Sequence, residues 1–347
     1  MSTPVIGLTM GDPAGIGPEI TVAALADPAV RDLVRPLLVA DAGVIERSIA
    51  SAGLDLRVNR VPGPEAIGTD PKVVDVLDLD NVGEVEFGKV SGEYGAAAVE
   101  SIEKTCALAR EGRIDGLVTA PINKEAIRAG GSGFPGHTEM LAHLFEVPAN
   151  QVVTMFVLDK LRIFFLTRHH PLADAIAGLS TEQVRAGLVR THELLGELGF
   201  ERRHVALAAL NPHAGENGLI GREELDILGP AVEAARADGV DVAGPVPADA
   251  VFHQARQGRY DGVLSLYHDQ GHIAAKTVDF FGTVSCTLGL PVIRASVDHG
   301  TAFDIAGRGI ADHGGQLGAI RVAAELAGQV LAVRGRAPVT HQEVHSA

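Results

Sequence analysis

The sequence predicts an α/β fold, a largely parallel sheet covered by helices, and three observations carry that expectation. Short apolar runs that read as strands alternate with helical patterns along the chain. Hydrophobic residues fill 46% of the 347 positions, and aromatics only 4% with no Trp, as in compact α/β domains rather than disordered or fibrous chains. Polar motifs follow several of the apolar runs, and strand ends are where open α/β sheets keep their active sites.

In order, residues 4–10 read as a strand entering the loop Gly11-Asp12-Pro13-Ala14-Gly15-Ile16-Gly17-Pro18. A helix over 19–26 follows, with Pro18 in a first turn that tolerates it and Glu19 suited to the positive end of the dipole. Further strands are expected over 36–40, 73–78, 116–119, 152–157, 161–166, 205–209, 262–266 and 283–288. Helices are expected over 92–110, 181–198, 222–237 and 316–334. Periodicity is lost from residue 336, so the last residues, 336–347, are expected to fray.

A chain of 347 residues exceeds the size at which one core keeps growing, so two lobes are expected. The net charge of −15 and the lack of a Lys/Arg-rich run argue against a nucleic-acid surface. Two cysteines outside any CxxC pair argue against a disulfide framework or a thiolate zinc site. The first residues lack a basic n-region, and no apolar run approaches the roughly 20 residues that span a bilayer. A cytoplasmic protein without membrane partners is expected.

The densest chemistry lies in Tyr267-His268-Asp269-Gln270-Gly271-His272, with Lys276 four residues on. Three other polar segments also follow strands: Thr119 to Glu125, Arg168-His169-His170-Pro171-Leu172, and Asn211-Pro212-His213-Ala214-Gly215-Glu216. His169, His213 and His268 are candidates for a three-imidazole metal site, with His170, His272 and His299 as competitors. Their spacing alone does not bring them together, and an isolated histidine is ordinarily a surface or hydrogen-bonded core residue. The segment Gly136-His137-Thr138-Glu139 reads as a helix start with Thr138 as N-cap, or as an anion site of free amides, hydroxyl and imidazole. Lys276 and Arg294 each lie beside a strand in apolar surroundings; a phosphate or carboxylate substrate would pair them, as would Asp249 or Asp298. The run 298–307 reads as a strand-to-helix connection or as close packing against a nucleotide.

Taken together, these segments resemble the 4-hydroxythreonine-4-phosphate dehydrogenase family nearly end to end. The resemblance rests on the stretch Met10 to Glu19 and on Pro135-Gly136-His137-Thr138-Glu139, Asn211 to Glu216, Pro247-Ala248-Asp249, Tyr267 to Gly271, Thr287-Leu288-Gly289-Leu290-Pro291 and Val297 to Ala302. The variants Ala120 to Ala126 and Glu216-Asn217-Gly218-Leu219 look closer to the branch acting on phosphorylated threonate or erythronate. The resemblance implies two α/β/α lobes like those of isocitrate and isopropylmalate dehydrogenases, an active site in the cleft between them, and a homodimer sharing the metal site. It implies a cofactor-side lobe of residues 1–126 plus 290–335 and a metal and dimer lobe of residues 127–289. Metal ligands would fall on His169, His213 and His268, substrate contacts on His137, Thr138, Lys276, Ser285 and Arg294, and cofactor contacts on Asp298, Gly300 and Thr301. Lys276 and Asp249 are the candidate catalytic groups. One departure stands out: Ser285 occupies a position where the family typically has Asn, beside the bulky Phe280-Phe281 pair.

The activity implied is oxidative decarboxylation of a phosphorylated 3-hydroxy acid, using NAD or NADP and a divalent ion, zinc foremost, with magnesium, manganese, cobalt or nickel as substitutes. The pathway would be pyridoxine biosynthesis or sugar-acid breakdown. A cis-dihydrodiol carboxylate dehydrogenase of the terephthalate type is an alternative within the family. A phosphate acyltransferase binding coenzyme A and a catalytically idle binding homologue are alternatives outside it.

Overall fold

The structure, a computed structural model, describes residues 3–335, and the expected frayed tail 336–347 lies outside the described residues. The chain forms two compact units, one running up to Val152 and resuming at Val284, the other Val153–Thr283. Both are α/β.

The first unit begins with β1 (Val5–Thr9), α1 (Gly17–Leu25), α2 (Ala29–Leu33), β2 (Arg35–Ala40), α3 (Ala42–Ser51), β3 (Arg57–Arg60) and β4 (Val73–Asp78). It continues with α4 (Gly92–Arg110), β5 (Gly116–Thr119), α5 (Lys124–Ala129) and α6 (His137–Leu144), and ends with β11 (Val284–Leu288), β12 (Ile293–Ser296) and α12 (Gly314–Val333). Its strands lie in the order β3-β4-β2-β1-β5-β12-β11. All neighbours pair in parallel except the antiparallel hairpin β11–β12. The chain leaves β1 toward β2 on one side, while β5 lies on the other, so the crevice beyond the β1 and β5 ends is a topological switch point.

A core of Val5, Leu37, Val39, Ile102, Ile114 and Leu117 fills one face of this sheet, joined by Met140, Leu141 and Phe145 around α6. Helices α4 and α5 touch backbone to backbone. A Cβ on Gly95 would stand 2.0 Å from the Ala126 carbonyl oxygen, and one on Gly130 would stand 2.6 Å from that of Gly92. Residues 127–152 and 284–289, expected in the second lobe, belong to the first unit. Helix α12 has the length and composition of a membrane span, which the sequence reading found nowhere, yet its buried face, including Ala319, Ile320 and Ala323, packs in the first unit against β12, β5 and α1.

The second unit contains β6 (Val153–Leu158), β7 (Leu161–Phe165), α7 (Leu172–Ala177), α8 (Thr181–Glu197), β8 (Val205–Ala208), α9 (Gly229–Ala237), β9 (Val242–Val246), α10 (Ala248–Arg256), β10 (Gly262–Ser265) and α11 (His268–Val278). The order β6-β7-β10-β8-β9 is parallel apart from the β6–β7 hairpin. Phe156, Ile163, Phe165, Ala206, Val251 and Val263 belong to a core of this unit.

Strands β3, β9 and β12 were not anticipated. Thr138 is not an N-cap: α6 starts at His137 after Gly136, and no side-chain cap bond forms. The expected helix 222–237 is divided into a π-helical turn, Glu224–Leu228, and α9.

Candidate active site

In the first unit, Arg294 sits inside β12, opposite Thr287 of β11 and beside Leu117 of β5, two residues before Thr119. The guanidinium is buried, 5% exposed, and donates from Nε and Nη2 to Thr119 Oγ1 (3.0 and 2.6 Å) and from Nη1 to Thr287 Oγ1 (3.0 Å). Burial pushes its pKa down to about 10, so it remains charged at neutral pH. Hydroxyls accept hydrogen bonds without neutralising a cation, which leaves a field that favours an anion.

His137, the first residue of α6, lies within that field. Burial first, then the charges of Arg294 and Lys124, hold its pKa well below the usual histidine value. Its Nε2 is out of solvent and has no partner among the described residues. A neutral imidazole beside two cations, half-buried with its Nε2 out of solvent, needs an anion or hydroxyl to complete it. Thr138 is half-buried in the same first turn, and Ser285 is half-buried on β11 opposite Ser296 of β12.

The glycine-rich loop after β1 reaches the same switch point. Gly11 has φ +71°, and a Cβ there would stand 2.4 Å from the Pro121 carbonyl oxygen, to which Asp12 donates its N–H at 2.9 Å. Asp12 is fully buried; Oδ1 accepts from the Ala14 N–H at 2.9 Å, while Oδ2 has no partner among the described residues. Burial pushes its pKa up to about 6. The loop also holds the 298–307 segment: Ile16 donates to the Thr301 carbonyl at 2.9 Å, and Glu19 accepts from the Gly307 N–H. Gly300 is exposed, and a Cβ there would meet nothing within 4 Å. Asp298 and Thr301 flank it, each half-buried.

In the second unit, the segment Tyr267–His272 opens helix α11 rather than forming a loop. His268 Nδ1 lies 2.6 Å from Asp269 Oδ1. A carboxylate only accepts, so Nδ1 carries the proton and Nε2 keeps the lone pair a metal needs. The ring of His268 stacks on His272 at 3.5 Å and lies 6.1 Å from that of His169, which is exposed after β7. Gln270 ties strand ends together, accepting from Leu266 N–H (2.7 Å) and donating to Ala209 carbonyl (2.8 Å).

His213 stands after β8 in an unusual backbone. Residues His213, Ala214, Gly215, Glu216 and Asn217 all have φ between 43° and 77° and form a left-handed turn. Each L-residue held there costs roughly 1–2 kcal/mol, so surrounding contacts must hold the turn in place. No group of three His, Cys, Asp or Glu side chains that could hold a metal is assembled among the described residues. The donor chemistry nevertheless fits a divalent ion: His268 has its Nε2 prepared by Asp269, and a second imidazole stands near. Lys276 lies in the last turn of α11, not beside a strand, with Nζ 4.9 Å from the Phe280 ring centroid. Asp249, in the first turn of α10, lines a cavity of about 330 Å³ with Phe252, His253, Ile273 and Thr277, and Lys276 is not among its lining residues.

Sequence reasoning did not single out Thr119 and Thr287 as partners of Arg294, Asp269 as the anchor of His268, or Gln270 as a strand tie. Thr119, Asp269 and Gln270 were visible inside quoted motifs; the pairing of Thr287 with Arg294 needed the β11–β12 register.

The family described as pyridoxal phosphate biosynthetic protein PdxA matches residues 32–323. A protein of Halalkalibacterium halodurans that carries the provisional name D-threonate 4-phosphate dehydrogenase is 48% identical over 326 residues, 93% of this chain and 97% of that one. A solved 4-hydroxythreonine-4-phosphate dehydrogenase from Burkholderia phymatum is 42% identical with a TM-score of 0.84, covering 94% of this chain and 99% of its own. A solved terephthalate 1,2-cis-dihydrodiol dehydrogenase from Burkholderia xenovorans LB400 is 33% identical with a TM-score of 0.64, covering 93% and 98%.

Proposed function

The chain belongs to the family of the pyridoxal phosphate biosynthetic protein PdxA, and we propose that it is an NAD(P)-dependent dehydrogenase for a 4-phosphorylated 3-hydroxy acid of the threonate or erythronate type. The observation that carries the anionic substrate is the buried Arg294, bonded only to hydroxyls among the described residues and acting on a neutral, unpartnered His137. The four-carbon phosphate acid is favoured by the name of the Halalkalibacterium halodurans relative.

In the proposed reaction the C3 carbinol loses a hydride and a proton to give a 3-keto acid; the C1–C2 bond then breaks, carbon dioxide leaves, and its electron pair forms an enolate that takes up a proton at C2. When bound, the nicotinamide accepts the hydride, and a divalent ion polarises the hydroxyl and carbonyl oxygen. The chain's residues supply the rest. Arg294 neutralises an anionic group of the substrate, while His137 Nε2 and the Thr138 hydroxyl complete its hydrogen bonds. Ser285 makes a shorter contact than an amide would. Asp298, Gly300 and Thr301 face the dinucleotide. His169, His213 and His268 would hold the ion, zinc foremost, with Asp269 fixing the His268 ring. Lys276 balances charge near the reacting carbon, and Asp249 relays the proton. A homodimer sharing the metal ligands, and a cytoplasmic location in keeping with Cys106 and Cys286 being buried and outside any disulfide, belong to the same proposal.

The test is NAD(P)H formation with D-threonate 4-phosphate, D-erythronate 4-phosphate, 4-phosphohydroxythreonine and a cis-dihydrodiol carboxylate, each with and without chelator. Turnover of a phosphorylated acid, lost to chelator and restored by zinc or manganese, is expected. Turnover of the dihydrodiol alone would replace this reading with the second one, which the likeness to the Burkholderia xenovorans enzyme, Ser285 and the exposed Phe280-Phe281 pair favour.

A further inference from the structure

The left-handed turn that carries His213 is fastened at its start by one carboxylate from the π-helical turn that precedes α9. Glu224 is buried, 6% exposed, and both its oxygens are committed. Oε1 accepts from the backbone N–H groups of Leu210 (2.9 Å) and Asn211 (2.7 Å), and Oε2 accepts from Asn211 Nδ2 (2.7 Å). Asn211 also donates from Nδ2 to Glu223 Oε2 at 2.7 Å, and its carbonyl accepts from Ala214 N–H at 3.1 Å, a bond that closes the start of the turn. Packing leaves little slack. A Cβ on Gly215 would lie 2.9 Å from Glu224 Oε2, and one on Gly221 would lie 2.4 Å from Asn211 Nδ2.

We propose that Glu224 is a positioning residue for His213: through Asn211 it holds the backbone left-handed and thereby fixes where the exposed imidazole stands as a metal ligand. The inference rests on the reading of His213 as a ligand. Three N–H donors converge on the Glu224 carboxylate, so the chemistry requires a group with acceptors on both oxygens. A glutamine of the same size turns one of those acceptors into a donor facing either the Asn211 amide or the two backbone N–H groups. The turn has little conformational preference of its own for φ above zero at His213, Ala214 and Glu216, so it relaxes when that anchor fails.

The experiment compares the full-length chain with Glu224→Gln, Asn211→Ala and His213→Ala. Zinc affinity is measured by chelator competition, the cobalt-loaded absorption spectrum reports ligand geometry, and amide exchange is followed at Leu210, Asn211 and Ala214. Expected in Glu224→Gln is a 10- to 100-fold loss of zinc affinity, the usual effect of removing a partner that orients a ligand. An altered cobalt spectrum and faster exchange at the three amides accompany it, while far-UV circular dichroism is unchanged. If Glu224→Gln does not fold, Asn211→Ala, which retains the carboxylate and its two backbone N–H bonds but removes the side-chain bond to Oε2, must show the same three changes in weaker form. Parental affinity and spectrum in these variants, with loss in His213→Ala, overturn the positioning role and leave the ligand reading intact. Parental zinc affinity in His213→Ala overturns the ligand reading, and this inference falls with it.

Discussion

Replacing Asp12 by Asn isolates what it costs to hold a carboxylate in the loop between β1 and α1. Burial lifts this group from 3.8 to about 6 in the folded chain. Between those values the native state keeps a proton that the unfolded chain has lost, so stability falls as pH rises through the interval. Below about pH 4 both states are protonated and nothing is lost. Above about pH 6 the loss is complete: about 2 pH units at about 1.4 kcal/mol each, or about 3 kcal/mol. Asn cannot ionise, and its Oδ1 can still accept the Ala14 N–H bond. The variant is therefore expected to be more stable than the parent near pH 7.5 by up to about 3 kcal/mol, the advantage vanishing toward pH 4. The new amide N–H, left without a partner, shifts the whole curve by a constant and leaves the slope untouched. Urea unfolding followed by far-UV circular dichroism at steps from pH 4 to 8 measures the difference. Two curves that run parallel from pH 4 to 7 would refute the reasoning, because the parent would then gain no extra proton on folding.

Two further substitutions test the first unit. Arg294→Lys exchanges a planar fork shared between Thr119 and Thr287 for a single ammonium, and should raise KM for an anionic substrate about 10- to 100-fold, about 1.4–2.8 kcal/mol; an unchanged KM would remove Arg294 from the anion site. Gly95→Ala drives a methyl into the Ala126 carbonyl, 2.0 Å away, and should lower stability by about 1–3 kcal/mol or more, read as a drop in Tm; an unaltered Tm would mean that α4 and α5 separate without cost.

The α/β class was legible because most strands are apolar runs between periodic helices. The exceptions have physical reasons. β3 reads Arg-Val-Asn-Arg on a sheet edge with three of its four residues exposed, so it lacks the apolar signature of a strand. β9 contains Gly244-Pro245, a pair that reads as a breaker. β12 carries a charged arginine in a buried strand, tolerated through the Thr119 and Thr287 hydroxyls and the charge of Asp298. Residue types at the site were legible for the same reason the strands were, since polar motifs stand at their ends. Backbone conformation was not. Nothing in Pro-His-Ala-Gly-Glu-Asn announces a left-handed turn beyond Gly215 and Asn217, because the contacts that impose it come from Glu224 on another element.

The pairing of Arg294 with Thr119 spans 175 residues of chain. A ribosome adding 5–20 residues per second needs roughly 10–35 s to cover that distance. During this interval β5 has been made while the strand that will flank it has not, and the whole of Val153–Thr283 is synthesised in between. The second unit has all its strands before the first unit receives β11 and β12. A nascent chain halted before Ile293 thus carries the glycine-rich loop, His137 and the imidazoles, yet lacks the buried cation and exposes a bare strand edge. The anion site proposed around Arg294 is consequently completed only in the last stage of synthesis.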